Sequence, residues 1–212
     1  MEKYNKLSFE VSEKVTKEYS TSFYTASRIF TREIREGIFS IYGFVRLADE
    51  IVDSFHDYDK ALLLESFEKE YYEAITNGIS LNPVLHSFQK TVKKYRIPEE
   101  HIGNFFNSMK KDLSKSEYKT KKDAEEYIYG SADVVGLMCL KVFCNGDDSL
   151  YSQLTHPAMK LGSAFQKVNF LRDLKADYED LNRTYFPNTD LSKLDEHSKN
   201  EIIKEIEADF QA

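Results

Sequence analysis

Apolar residues recur at helical spacing through most of the chain. In the segment 33–55 they stand three or four positions apart, at Ile34, Ile38, Ile41, Val45, Ala48 and Val52. This is the period of an amphipathic helix. Glycine and proline number only 8 and 4, and the chain has no series of short β-branched runs separated by hairpin turns. The pattern therefore predicts an all-α fold.

Capping and breaking residues divide this pattern into eight or nine helices with short connections. The predicted helices span 8–18, 33–55, 59–77, a stretch opening at Pro83, a stretch from Pro98 to about 113, 122–143, 157–178 and 198–210. Ser and Thr residues predict a break at 19–23, and the charged stretch 110–122 predicts a connector. Because no linker separates these elements, we expect a single domain over 1–212.

Composition narrows the function classes. The net charge is −7, which argues against nucleic-acid binding as the main role. The two cysteines form neither a disulfide framework nor a zinc-site spacing, and the start of the chain is not a signal peptide. The apolar run 134–143 is too short and too polar to span a membrane. We therefore expect a cytoplasmic protein. Its 15 Phe and 14 Tyr fit either large core residues or the lining of a deep apolar cavity.

An acidic pair stands near the end of the predicted helix 33–55. Asp49 and Asp53 are four positions apart, so both carboxylates project from one helix face. Like charges at this spacing destabilise an isolated helix by about 0.2–0.5 kcal/mol, and the helix dipole disfavours anions near a C-terminus. A bound cation would offset these costs. A solvated acidic helix end is the alternative interpretation.

A second polar stripe follows in the predicted helix 157–178. Its members are Gln166, Asn169, Asp173 and Asp177, with Gly162 one turn earlier on the same face. Oxygen-bearing side chains on two helices suit Mg²⁺, which proteins bind through one or two carboxylates together with substrate phosphate. Arginines, whose guanidinium groups bind phosphate oxygens, lie near both clusters at Arg46, Arg172 and Arg183. The combination predicts a prenyl diphosphate ligand; a solvated polar face is the alternative for the stripe alone.

Four ordered stretches carry a family resemblance. They are 20–23 (STSF), 42–53 (YGFVRLADEIVD), 127–136 (YIYGSADVVG) and 162–177 with its tail RTYFP at 183–187. Together they resemble the motifs of the squalene/phytoene synthase family, the head-to-head prenyl-diphosphate synthases, in a form closest to bacterial phytoene synthases. The resemblance implies an isoprenoid-synthase-type helical bundle around a central cavity. Since family members continue for several more helices, it also implies a chain truncated at its C-terminus.

The resemblance implies metal-binding and diphosphate-binding roles. The residues that would hold Mg²⁺, or Mn²⁺ in its place, on the substrate diphosphate are Asp49, Asp53, Asn169, Asp173 and Asp177. The residues that would contact diphosphate oxygens or lie beside them are Ser20, Tyr42, Arg46, Arg172 and Arg183. A salt bridge to Asp180 is the alternative role for Arg183.

Three further roles concern the reacting carbons and the prenyl tail. The resemblance places Tyr127 near the reacting carbons and the leaving diphosphate, Gln166 between head group and tail, and Phe23 in the wall of the prenyl tunnel. Ordinary core packing is the alternative for Tyr127, Phe23 and Tyr42.

The implied activity is that of a prenyltransferase in carotenoid biosynthesis. Two geranylgeranyl diphosphates condense head to head (1′-1) in two ionisations, through a cyclopropyl diphosphate, to phytoene. Because this reaction ends in loss of a proton, NADPH is not expected. The alternatives are a squalene or dehydrosqualene synthase using farnesyl diphosphate, a terpene cyclase, and a non-catalytic helical homologue in an assembly or lipid-binding role.

The partners implied are prenyl diphosphate substrates, with no nucleic acid. Because these substrates are lipids, we also expect peripheral membrane contact, for which the basic segment 110–122 is one surface. A solvated loop is the alternative for that segment, and the sequence does not predict an oligomeric state.

Overall fold

The protein is helical in a computed structural model. The structure describes residues 1–114, 118, 120–179 and 196–212, without the side chains of 173–179 and of Ser198. Within these ranges the elements are α1 (Glu2–Tyr19), α2 (Thr21–Ser27), α3 (Arg32–Asp53), α4 (Lys60–Asn77), α5 (Pro83–Tyr95), α6 (Glu99–Asp112), α7 (Lys121–Ile128), a π turn (Tyr129–Asp133), α8 (Val134–Cys144), α9 (Asp148–Glu179) and α10 (Glu196–Gln211). The described residues include no strand, so the all-α prediction is confirmed.

Local signals set several helix ends as predicted. The Asp59 side chain accepts a backbone N–H of the first turn of α4 at 3.0 Å, and Gly78 ends that helix at a left-handed φ of 73°. The Asn82 side chain likewise accepts first-turn N–H groups and begins α5, whose first residue is Pro83. Such caps satisfy backbone groups that helix ends leave without partners.

Pro157 does not begin a helix, so that predicted boundary is wrong. It lies inside α9, which begins at Asp148. The Asp147 side chain accepts the N–H of Leu150 at 2.9 Å, and this cap starts the helix nine residues earlier. Pro157 occupies an exposed position, where solvent can hydrogen-bond the carbonyl that loses its helical partner.

The break predicted at 19–23 contains one residue only. Ser20 is extended and caps α2, where its hydroxyl accepts the N–H of Phe23 at 3.4 Å. The helix before it is also longer than predicted, since α1 begins at Glu2. A single Ser that can cap a helix therefore separates two helices here rather than opening a loop.

The chain divides into two compact units, each described by itself. The first comprises Met1–Glu99 and Met138–Tyr151. At its core the ring of Phe44 stacks on Phe88, with centroids 3.9 Å apart, and contacts Phe67 and Tyr71. Small residues let α1 approach its neighbours: the Ser12 and Ser87 hydroxyls lie 2.7 Å apart. This unit holds α3, which carries the first acidic pair.

The second unit comprises Glu100–Leu137 and Ser152–Ala212. Its apolar cluster contains Tyr118, Ala124, Tyr127, Ile128 and Phe170. This unit carries the polar stripe of α9. The single domain and the central cavity stay predictions.

A π turn interrupts the predicted helix 122–143. The N–H of Val134 reaches the carbonyl of Tyr129, five residues back. A Cβ at Gly130 would lie 2.0 Å from Ser108 Oγ and 2.8 Å from the carbonyl oxygen of Asn104. Glycine is therefore what lets the π turn approach α6 so closely.

One helical stretch, Lys121–Cys144, is long and apolar enough to cross a membrane by length and composition alone, and 61% of its most apolar window is buried within the protein. Lys141, near the C-terminal end of this stretch, is buried. Its ammonium group donates to Asp148 at 3.0 Å and lies 4.0 Å from the ring centre of Tyr151. A buried core helix passes the same test.

Candidate active site

The acidic pair occupies the last two turns of α3. Asp49 and Asp53 are both half-buried and lie on one helix face. Immediately beyond them, the ammonium group of Lys60 donates to the carbonyl of Val52 at 2.8 Å and contacts the ring of His56 at 3.0 Å. A cation at this helix end satisfies a terminal carbonyl and offsets the negative end of the dipole.

Arg46 lies one turn before Asp49. Its guanidinium group pairs with Glu50 and sits over the ring of Tyr19, 4.5 Å from the centroid. Its Nε is buried and has no hydrogen-bond partner among the described residues. A buried donor without a partner costs about 1–3 kcal/mol, so this nitrogen favours an acceptor oxygen supplied by a ligand.

Tyr42 lies near Arg46 and contacts residues at the start of α2. Its ring stacks on Phe23, with centroids 5.2 Å apart. Burial raises the pKa of Tyr42, Asp49 adds to the rise, and the Arg46 charge and the Ser20 hydroxyl oppose it. The phenol is therefore a neutral hydrogen-bond donor at ordinary pH. Ser20, Phe23, Tyr42, Arg46 and Asp49 thus form one group within the first unit, as the resemblance implies.

The polar stripe on α9 is described in part. Gln166 and Asn169 are half-buried, and the Asn169 amide donates to Gln166 Oε1 at 3.5 Å. Arg172 is exposed. The backbone of Asp173 and Asp177 continues α9, but their side chains, like all of Arg183, lie outside the described residues.

Tyr127 is a buried member of the second unit's apolar cluster. Its hydroxyl donates to Asp112 Oδ2 at 2.8 Å, and its ring stacks with Phe170 at 6.2 Å. The Tyr118 hydroxyl donates to the other oxygen of Asp112 at 3.1 Å. These contacts are what core packing would give, so the role of Tyr127 near reacting carbons stays a prediction.

The comparisons with known proteins identify the family of this chain. The profile of the squalene/phytoene synthase family matches residues 16–211. The chain belongs to this family. The matched residues include every candidate site residue from Ser20 to Arg183.

Relatives with curated names are phytoene synthases. The chain is 29% identical over 197 residues to the phytoene synthase of Arthrospira platensis, covering 87% of this chain and 62% of the relative. It is 31% identical over 182 residues to the chloroplastic phytoene synthase 2 of Zea mays, covering 84% and 45%. The chain therefore spans about half to three fifths of the length of these two relatives.

Solved structures support the family fold. The squalene synthase HpnC from Alicyclobacillus acidocaldarius matches with a TM-score of 0.82 and 25% identity, covering 98% of this chain and 82% of that one. A dehydrosqualene synthase matches with a TM-score of 0.85 and 24% identity, covering 99% and 76%; at that identity it supports the fold alone. The helical fold expected for this family is confirmed.

Magnesium is the metal that the squalene/phytoene synthase resemblance implies. The part of the chain that the structure describes contains no group of three or more His, Cys, Asp or Glu side chains able to hold a metal. The donors of α3 are two half-buried carboxylates, Asp49 and Asp53. One or two carboxylates completed by substrate phosphate are a usual magnesium site, so the donor chemistry of α3 fits Mg²⁺.

Sequence reasoning missed three acidic residues beside the predicted ones. Glu50 pairs with Arg46, one helical turn away, a spacing that could have indicated the contact. Asp112 accepts from Tyr127, fifteen residues later in the chain. Asp133 ends the π turn and accepts from Ser163 at 3.0 Å. No local signal points to the last two, because their partners come from other helices.

Proposed function

We propose that this chain carries the head-to-head prenyltransferase activity of a phytoene synthase. In this proposal two geranylgeranyl diphosphates condense through a cyclopropyl diphosphate to phytoene, in a magnesium-dependent reaction of carotenoid biosynthesis. The family membership and the phytoene synthase relatives support the substrate class. Because the chain spans only part of its relatives' length, the activity of the whole protein belongs to the proposal.

The observation that carries the proposal is the group around Arg46. A buried guanidinium nitrogen without a partner among the described residues lies one turn before Asp49 and two turns before Asp53 on the same helix. Guanidinium and carboxylate groups side by side suit a diphosphate and its counter-cation, since one binds phosphate oxygens and the other binds the metal. If this were only a solvated acidic helix end, a buried Arg46 Nε without a hydrogen-bond partner would not be expected.

Each residue of this group has a distinct task in the proposed reaction. Arg46 binds diphosphate oxygens and stabilises the negative charge that grows on the leaving group. Tyr42 and Ser20 donate hydrogen bonds to the same oxygens, and Phe23 shields the first carbons of the tail from water. Asp49 and Asp53 would hold Mg²⁺, which supplies Lewis-acid stabilisation of the leaving diphosphate when bound.

The stripe on α9 carries a separate set of polar groups, in the second unit. Asn169 and Gln166 provide amide groups, and Asp173, Asp177, Arg172 and Arg183 complete the polar set. We propose that these residues bind the second diphosphate and its metal. Tyr127 would act close to the reacting carbons, which requires that its hydroxyl exchange Asp112 for the substrate.

A squalene-type reaction on farnesyl diphosphate is the second candidate. The structural neighbour that supports it is the squalene synthase HpnC, of which this chain covers 82%. The two candidates share the diphosphate site and differ in the length of the prenyl tail. The depth of the apolar binding site therefore distinguishes them.

Titration calorimetry with geranylgeranyl thiodiphosphate, which does not ionise, tests the proposed site. We expect binding that requires Mg²⁺ and weakens at least about tenfold in Asp49→Asn, in Asp173→Asn and in Arg46→Gln. The first two variants lose a carboxylate that would hold the metal, and the third loses the guanidinium charge that binds the diphosphate. The matched control is Asp57→Asn, an exposed carboxylate just beyond α3, which should bind like the parent. Binding that ignores Mg²⁺, or that survives Asp49→Asn unchanged, would refute the proposal.

A further inference from the structure

The turn between α4 and α5 is held firmly against the start of α1. The Tyr4 hydroxyl donates to the carbonyl of Ser80 at 2.7 Å, and His86 Nδ1 accepts the N–H of Ser80 at 3.3 Å. The other ring nitrogen of His86 lies 2.8 Å from Asn5 Oδ1. Burial and the charge of Lys90 lower the pKa of His86, so the ring is neutral and joins both helices. The turn therefore presents its side chains in a fixed orientation.

Large apolar side chains project from this turn into solvent. Leu81 is 93% exposed and Ile79 is 42% exposed. Leu7, 49% exposed, lies one helical turn after Tyr4 and so on an adjoining part of α1. None of these side chains is buried in the core. Grouped exposed apolar side chains mark interaction surfaces more often than scattered single ones do.

Two lysines lie beside the same turn. The Lys93 ammonium lies 3.7 Å from where a Cβ on Gly78 would stand, and Lys90 acts on the charge of His86. Within the described residues, neither lysine has a carboxylate partner. On a chain with a net charge of −7, this local excess of positive charge favours an anionic partner.

A cavity of about 400 Å³ opens beside the turn. Gly78, Gln89, Lys90 and Lys93 line one side of it. Gln89 is 1% exposed; its amide nitrogen donates to the Gly78 carbonyl at 3.2 Å, and its Oε1 has no hydrogen-bond partner among the described residues. A buried acceptor without a partner favours a ligand that carries a hydroxyl or N–H donor.

The acidic residues of this cavity do not cancel its positive charge. Glu33 pairs with Lys94 at 2.8 Å, and Glu36 pairs with Arg32 at 2.8 Å. Both carboxylates are thus neutralised by cations other than Lys90 and Lys93. The lysines on the Gly78 side remain available to an anion.

We propose that the α4–α5 surface, formed by Leu7, Ile79, Leu81, Lys90 and Lys93, docks on anionic phospholipid membranes. Leu81 and Ile79 enter the acyl-chain boundary, Lys90 and Lys93 bind the phosphate, and Gln89 accepts a hydrogen bond from a hydroxylated head group. Apolar insertion combined with attraction to anionic lipid is how peripheral proteins bind membranes. This inference does not depend on the proposed reaction.

The basic segment 110–122 suits a membrane less well. In its described part, Lys111 and Lys122 pair with Glu126, and Lys121 pairs with Glu205. Carboxylates facing these lysines would be brought towards the anionic surface together with them. Among the residues that the structure describes, the lysines of the α4–α5 surface have no such partners, so that surface is the better electrostatic match.

Vesicle flotation of the whole chain tests the apolar contribution. We expect flotation with phosphatidylcholine vesicles that contain about one quarter phosphatidylglycerol, and little with pure phosphatidylcholine. Leu81→Asp should reduce bound protein at least about tenfold, because a charge replaces the most exposed apolar contact. The matched control is Leu62→Asp on α4, a 59% exposed leucine outside the surface, which should float like the parent. Equal loss in both variants, or no flotation of the parent, would overturn the proposal.

A second arm separates a lipid from a soluble anion. Lys90→Gln and Lys93→Gln should each weaken vesicle binding about fivefold, while Lys199→Gln with Lys204→Gln, at two exposed positions of α10, should not. Glycerol phosphate, added in excess, should leave vesicle binding in place, because it lacks the acyl chains that Leu81 contacts. If glycerol phosphate displaces the vesicles, the cavity is a site for a soluble anion and the membrane proposal is wrong.

Discussion

Asp133 is a buried acid at the end of the π turn. Burial raises its pKa from 3.8 to about 6, although the Ser163 hydroxyl donates to it and Lys160 and Lys167 lie nearby. Gly162 permits the contact, since a Cβ there would lie 3.1 Å from Asp133 Oδ1. The carboxyl thus lies one turn before Gln166, at the start of the α9 stripe.

The titration of Asp133 makes stability depend on pH. The folded chain holds this proton more tightly than the unfolded chain, so the free energy of unfolding falls as pH rises from about 4 to above 6. The two pKa values differ by about 2, which corresponds to roughly 2–3 kcal/mol. Asp133→Asn removes the titration but keeps an acceptor for Ser163. We therefore expect the variant to gain stability relative to the parent between pH 4 and pH 7.

Urea unfolding of both proteins at the two pH values measures this gain. Asp209, whose pKa Lys167 and Lys160 lower against the effect of burial, is present in both proteins, and its charge contributes to the raised pKa of Asp133. Asp57→Asn, the same substitution at an exposed position, is the control variant. A constant difference between Asp133→Asn and the parent across this range would contradict the account.

At the residue scale, the sequence predicted which side chains share a face of one helix. It did not predict side-chain contacts between different helices. The spacing of Asp49 and Asp53 correctly predicted that they share a face of α3. The contact of Tyr127 with Asp112 could not be predicted, because it depends on how α7 packs against α6. A tyrosine in a sequence motif does not indicate which carboxylate will accept its hydrogen bond.

At the element scale, substituting two glycines by alanine separates the effect of close packing from that of helix propensity. At Gly130 a Cβ would clash with Ser108 and with a backbone oxygen, whereas at Gly103 in α6 no atom lies within 4 Å of it. We expect Gly130→Ala to lower the free energy of unfolding by about 1–3 kcal/mol through overpacking. Gly103→Ala should raise it by about 0.5–1 kcal/mol, since alanine favours the helix.

Thermal and urea unfolding of the two glycine variants provide the measurement. Each variant is the control for the other, because the same methyl group is added to a helix of the second unit in both. A gain in both would mean that α6 and the π turn do not pack as described. A loss in both would mean that the space beside Gly103 is not open as described.

Helix ends were predictable where one capping residue decides them. Asp59, Gly78 and Asn82 act through their own first or last turn, and all three ends agree with the structure. Pro157 misled the prediction because proline is tolerated both at the first turn of a helix and, at a cost, inside one. The cap at Asp147 decides between these, and its effect is visible only once the whole of α9 is seen.

At the scale of the whole molecule, the length of the prenyl tail separates the two proposed reactions. Each buried methylene contributes about 0.8 kcal/mol. If the chain uses geranylgeranyl diphosphate, its thiodiphosphate should bind at least about tenfold more tightly than farnesyl thiodiphosphate, because five more carbons are buried. Competition calorimetry in the presence of Mg²⁺ measures the ratio. Equal or reversed affinities would favour the squalene-type reaction.

The family could be identified from the order of four motifs, and the profile match over residues 16–211 confirms it. The all-α class followed from periodicity alone. The relation between the two acidic clusters could not be derived in this way, because one lies in the first unit and the other in the second. Periodicity within a helix carries no information on which distant helix lies beside it.

The π turn has a consequence for how this sequence can change. Deleting one residue from an ordinary helix rotates everything beyond the deletion by about 100° and turns its core face away. A π turn holds one more residue than the α-helical turn it replaces. Loss of a residue between Tyr129 and Asp133 would therefore restore a regular helix and keep the faces of α7 and α8 in phase. In evolutionary terms, this turn marks a place where the chain can gain or lose a residue while the core-facing side chains beyond it still face the core.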